Sequence, residues 1–143
     1  MKEYKRKIYR DIPDDIYKRA LEYIRGRERL ESELADLIDA RHVSEVPVKN
    51  RTPSNPTAKI VEQRESRKDK LRIIDDAFKC IPEEYRTMVY RNITGTPMYE
   101  IEGASGGTLH TYRKRVLIEV AHRTGDMDEV EYNRLIDKNG YRR

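Results

Sequence analysis

Residues 82–123 read PEEYRTMVYRNITGTPMYEIEGASGGTLHTYRKRVLIEVAHR, and the order of elements in this stretch decides the fold. Pro82 suits the first turn of a helix, and Glu83 and Glu84 favour the positive end of its dipole. That helix runs to about Ile93, where Gly95 is a natural terminator. Thr96-Pro97 opens a short helix through about Gly103. Ala104-Ser105-Gly106-Gly107 is a tight connection. Thr108 to Arg123 forms a longer helix with Leu109, Tyr112, Val116 and Val120 on one face. Helix, short helix, turn and basic helix is the helix-turn-helix order. Gly103 supplies the flexible turn residue. Leu109 and Tyr112 follow it by six and nine residues, where the motif needs buried side chains.

With that face against the core, Gly106, Gly107, His110, Thr111 and Lys114 are expected to point outward. The first turn of such a helix enters the major groove and its flanks meet phosphates. Ser105 can cap the helix and leave backbone N–H groups for a phosphate. Gly106, Gly107 and Thr108 permit close approach, and His110 and Thr111 can reach base edges. Arg113, Lys114 and Arg115 bring positive charge to phosphates, and Arg113 or Lys114 can reach a guanine. Ser105, Gly106, Gly107, Thr108, His110, Thr111, Arg113, Lys114 and Arg115 are therefore the expected contacts to double-stranded DNA.

Outside this module the chain is also helical, and strand signals are weak. Pro13-Asp14-Asp15 opens a helix to about Ala40. Ile16, Ala20, Tyr23, Arg27, Leu30, Leu34 and Leu37 recur at steps of four and three. This is a heptad seam, interrupted at Arg27 beside Gly26. Periodicity leaves two readings open, a helix packed on its own chain or an inter-subunit coiled coil. Residues 42–55 hold proline without periodicity and read as a linker. A second long helix starts at Pro56 with Asn55 as its cap. It is nearly all charged from Glu62 to Lys70, then amphipathic through Leu71, Ile74, Phe78 and Ile81. The expected fold is all-α, with N-terminal long helices joined to a C-terminal helix-turn-helix module. Its parts are a basic arm and helix (1–41), the linker (42–55), the long helix (56–81), the module (82–124) and a C-terminal helix or tail (125–143).

Composition narrows the function. The net charge of +4 is modest, but its distribution is uneven. Five basic residues stand against one acidic in residues 1–10, nine against five in 46–79, and four against one in 105–123. Such blocks suggest polyanion contact at particular places. The arm Lys2, Lys5, Arg6, Lys7 and Arg10 reads either as a solvated tail or as added phosphate contacts. No run of about 20 apolar residues exists for a membrane span, and no apolar stretch follows the basic N-terminus as a secretory signal would need. The single cysteine, Cys80, excludes an internal disulfide and a cysteine-based zinc site, and suggests a reducing cytoplasm. Gly103-Ala-Ser-Gly-Gly-Thr108 lacks the lysine of a phosphate loop. Asp75-Asp76 and Glu83-Glu84 are adjacent pairs that diverge by about 100° on a helix. No catalytic residue, metal site or cofactor is expected, and the chain reads as a non-enzyme.

The string from Ser105 to Ala121 resembles the end of a sigma-factor region 4 type of helix-turn-helix, and Ile81-Pro-Glu-Glu-Tyr85 resembles the start of that module. With Thr52-Pro53-Ser54-Asn55 and the long charged helix, residues 14–123 resemble the phage-encoded RinA/ArpU-like regulators of late genes. Where such motifs place a small residue four before the turn glycine, this chain has Tyr99. The resemblance implies a phage or prophage transcriptional activator of a late operon. It would use DNA contacts on the Thr108–Arg115 turns, act on host RNA polymerase in the bacterial cytoplasm, and assemble as a homodimer or homotetramer. Two alternatives stand beside it: a small terminase subunit that binds DNA for packaging, and a polymerase- or sigma-interacting protein without DNA binding.

Overall fold

The computed structural model describes residues 7–43, 56–95 and 106–141. Among the described residues all regular structure is helical. A 3-10 turn at Lys7–Tyr9 precedes α1 (Asp14–Arg25), α2 (Arg27–Val43), α3 (Pro56–Phe78), α4 (Glu83–Thr94), α5 (Gly106–Arg123) and α6 (Glu129–Lys138). The expected short helix through Gly103, the cap Ser105, most of the linker, and Lys2, Lys5 and Arg6 lie outside the described residues. No described helix is long and apolar enough to cross a membrane.

The expected helix from Asp14 to Ala40 is two helices. It breaks at Gly26, the residue that interrupts the heptad seam, and the chain also divides there. One compact unit comprises Met1–Arg25 and Ile73–Arg143, and the other Gly26–Arg72.

In the first unit α5 is the central helix. α1, α4, α6 and the 3-10 turn all pack on it, and α1 also packs on α4. The sequence explains the arrangement. Buried Val116, Leu117, Ile118, Val120 and Ala121 give α5 apolar surface nearly all round, and such a helix must be enclosed. α1 starts with Asp14 and Asp15 in its first turn and buries one stripe, Tyr17, Ala20, Leu21 and Ile24. α4 buries Met88, Val89 and Ile93. It ends at Gly95, whose φ of 78° favours glycine and whose N–H donates to the Arg91 carbonyl. α6 is capped by Asp128, whose carboxylate accepts the Glu131 N–H at 2.8 Å. Ile74, Ala77 and Phe78 of α3, with Ile81, add to the core.

Two arginines close helix ends. Arg86 donates from Nε to the Phe78 and Ile81 carbonyls at 3.0 and 3.2 Å, and from a terminal nitrogen to Lys79 at 3.5 Å. Phe78 ends α3, and Lys79 and Ile81 lie in the turn that leads from it to α4. Arg25 donates to the Ile93 carbonyl at 2.7 Å and does the same for α4. Replacing Arg86 with alanine is expected to destabilise this unit by about 2 kcal/mol, because charged donors to the three carbonyls disappear together. A urea unfolding midpoint unchanged from the parent would remove Arg86 from this role.

In the second unit Leu30 of α2 is buried, Leu34 and Leu37 are half-buried, and Ile38 is exposed. On α3, Ile60 and Leu71 are half-buried and Val61 is exposed. Ion pairs within the helices join Arg27 to Glu31, Arg29 to Glu33, Lys68 to Glu65 and Arg72 to Asp69. Each such pair contributes only a few tenths of a kcal/mol.

Candidate nucleic-acid interface

The first turns of α5 carry the surface that the sequence marks for DNA. Gly106 opens the helix. Gly107 and Thr111 are exposed and Thr108 is half-buried. The Thr111 hydroxyl donates back to the Gly107 carbonyl at 2.9 Å. This end of an 18-residue helix presents backbone N–H groups and the positive end of its dipole.

The next turns depart from expectation. His110, Arg113 and Lys114, expected to face outward, are 9%, 7% and 3% exposed. The N-terminal segment lies against them. The Tyr9 hydroxyl is 2.6 Å from His110 Nδ1 in a hydrogen bond, and it also donates to the His110 carbonyl at 3.4 Å. The Arg113 guanidinium carbon sits 5.2 Å from the centre of the Tyr9 ring, a cation–π contact. Its Nε is buried without a hydrogen-bond partner. Lys114 Nζ lies 2.8 Å from one Asp11 carboxylate oxygen and 2.9 Å from the other, and 2.8 Å from the Asn139 side-chain oxygen.

The Lys114 cluster joins three parts of the first unit: the segment before α1, the middle of α5, and the end of α6. Burial alone would raise the Asp11 pKa. The hydrogen bond and charge of Lys114, with Asn139 and Lys138, outweigh it and hold the carboxyl below its ordinary value.

Arg115 is also turned to internal use. Its side chain is 17% exposed, bonds Glu119 at 2.9 Å, and sits over the Tyr141 ring at 5.3 Å. Glu119 is 2% exposed. It further receives Arg123 at 3.4 Å and the Tyr132 hydroxyl at 2.5 Å. Burial first, and Glu119 second, push the Tyr132 phenol up to about 12.

The cause of the difference is a helix enclosed on two faces. The spacing of Leu109, Tyr112, Val116 and Val120 identified one face, although Leu109 and Tyr112 are only half-buried. A second face, that of His110 and Lys114, is covered by the segment Tyr9–Asp11, and the 3-10 turn and α1 pack on the helix. A signal for that cover exists in the sequence. Tyr9 and Ile12 stand inside a segment that reads as a basic arm, and they are 0% and 1% exposed.

The same segment carries Lys7 and Arg10. Both are exposed, and neither side chain has a hydrogen bond or ion pair among the described residues. Because Tyr9 is seated on His110, these two charges stand beside the first turns of α5. Among the described residues no group of three or more His, Cys, Asp or Glu could hold a metal ion. The chain matches no family model, no curated protein and no solved structure.

Proposed function

We propose that this protein is a sequence-specific regulator that binds double-stranded DNA and positions host RNA polymerase. The observation that carries the reading is the exposure of Gly107 and Thr111 on the first turns of α5, with Lys7 and Arg10 uncommitted among the described residues. A helix N-terminus flanked by free cations suits a phosphate backbone. The resemblance of residues 14–123 to RinA/ArpU-like regulators extends the proposal to a phage or prophage late-operon activator. In that reading the protein is a non-enzymatic homo-oligomer in the bacterial cytoplasm.

The burial of His110, Arg113 and Lys114 changes the contact set that the proposal uses. Base and phosphate contacts would come from Gly106, Gly107, Thr108 and Thr111 and from Lys7 and Arg10, not from the covered face of α5. Replacing Lys7 and Arg10 with alanine together is expected to weaken binding and lower the salt slope of the binding constant by about two, one per lost phosphate contact. Anisotropy titrations of labelled duplex at several salt concentrations measure both quantities. An unchanged slope removes these residues from the interface. Absence of binding to any genomic fragment at low salt removes the DNA reading itself.

A second reading is favoured by that same burial: a polymerase- or sigma-interacting protein without DNA binding. Retained polymerase binding with no DNA affinity selects it. The small-terminase alternative is separated by mass, since a ring of many subunits favours packaging.

A further inference from the structure

A buried charge ordinarily has a counter-charge or a hydrogen-bond partner, because desolvation without one is costly. Arg113 has neither. It is 7% exposed, and its Nε is sealed from solvent and bonds nothing. Among the described residues its guanidinium makes no ion pair and no hydrogen bond, and it rests on the Tyr9 ring at 5.2 Å. The two terminal nitrogens are not sealed in this way. The group is therefore recessed, with its tip still reaching solvent. An arginine cannot relieve the cost by losing its proton.

The other basic side chains in the second half of α5 are each answered by a carboxylate. Lys114 pairs with Asp11 at 2.8 Å, Arg115 and Arg123 with Glu119 at 2.9 and 3.4 Å, and His122 with Glu129 at 2.6 Å. The one acid of the covering segment, Asp11, is thus occupied by Lys114. What that segment adds around Tyr9 is positive. Lys7 and Arg10 stand two before and one after the tyrosine that covers Arg113, and both are exposed without an ion pair among the described residues. Three unanswered cations gather around one tyrosine.

We propose that Arg113, with Lys7 and Arg10 beside it, binds a phosphate group. A guanidinium offers N–H donors in a planar fork that matches the oxygens of a phosphate. Three positive charges favour a dianion over a singly charged carboxylate. A free phosphate or phosphate monoester and the backbone of a duplex present the same chemistry. The recess selects the free group, because the Tyr9 ring lies on the guanidinium and only its tip opens outward. The inference does not rest on the DNA reading. Phosphate binding is measured with no DNA present, so either can fail alone.

The test is equilibrium dialysis of the full chain against labelled inorganic phosphate at fixed ionic strength, with thermal unfolding read alongside. The parent is expected to bind phosphate and to unfold at a higher temperature as phosphate rises, since a ligand of the folded state stabilises it. Arg113→Met keeps an apolar stem on Tyr9 and removes the charge. It is expected to weaken phosphate binding about a hundredfold. In phosphate-free buffer it should unfold no earlier than the parent, because an unanswered buried charge is gone. Lys7→Ala with Arg10→Ala changes only exposed residues and leaves the buried one in place. It is expected to weaken phosphate binding about tenfold. Arg113→Met is expected to leave duplex affinity as it is in the parent. A fall in that affinity would overturn the assignment to a free phosphate and give the guanidinium to the DNA backbone. No phosphate binding by the parent, an equal response to acetate or chloride at the same ionic strength, or binding that survives both variants would each overturn the site.

Discussion

Replacing Lys114 with alanine is expected to lower the unfolding free energy by about 3–5 kcal/mol, the range for breaking one side of a buried ion pair. The size follows from what remains. Asp11 would keep a carboxylate next to a buried gap, with Lys138 at 3.5 Å and the Asn139 amide at 3.4 Å as its remaining partners. Asn139 would lose the ammonium donor to its side-chain oxygen, now at 2.8 Å. Had Lys114 been a solvated phosphate contact, as its position in the basic string suggests, the same change would alter stability by less than about 0.5 kcal/mol. Urea unfolding separates the two outcomes. Replacing both partners, Lys114→Met with Asp11→Leu, is expected to recover much of the loss, because no charge is then left buried alone. The pair also carries a pH dependence. The folded pKa of Asp11 lies below its ordinary value of 3.8. Its contribution is therefore fully present above that value and is lost as the pH falls through the lowered one. The Asp11→Asn variant should flatten the acid limb of the parent's stability profile.

Replacing Glu119 with alanine is expected to cost about 3 kcal/mol or more. Glu119 is the one acid in residues 105–123, and the structure places it at 2% exposure with three donors on it. Without it Arg115 retains only the ring of Tyr141, while two of its guanidinium nitrogens are already buried and unpartnered. Tyr132 would lose its acceptor. The Tyr132 phenol gives a second readout, because Glu119 contributes to holding it near 12. Ultraviolet titration of the variant should show that phenol falling toward its ordinary value of 10. A stability change below about 1 kcal/mol would mean that Glu119 is not the anchor of this cluster.

Much of the helical framework was legible in the residues. Pro13-Asp14-Asp15 marked the start of α1, Pro56 that of α3, and Pro82 and Gly95 the limits of α4. Gly26 was visible as an interruption of the seam, although the periodicity on either side hid a true break. The facing of α5 was not legible from spacing, for a physical reason. His110, Arg113 and Lys114 are polar letters inside a basic string, and such residues are ordinarily exposed. Tyr9 bonds His110 and Asp11 pairs with Lys114 across 101 and 103 positions of sequence, and Arg113 lies over the Tyr9 ring; no local pattern encodes a pairing at that distance. The run Val116-Leu117-Ile118 did carry a warning. Three successive apolar residues cannot share one face of a helix, so a helix bearing them is covered on more than one side.

The Asp11 carboxylate has a further consequence, for the order in which the chain can fold. Its two main partners, Lys114 and Asn139, follow it by 103 and 128 residues. The whole of Gly26–Arg72 is made between α1 and the helices on which α1 packs. A nascent chain emerging from its N-terminus therefore has only α4 to cover the apolar stripe of α1 until α5 has been synthesised. Contacts so distant in sequence form late. A chain stopped before Gly106 keeps α4 against α1 but lacks Lys114 and Asn139, so the Asp11 carboxylate has neither of its main partners.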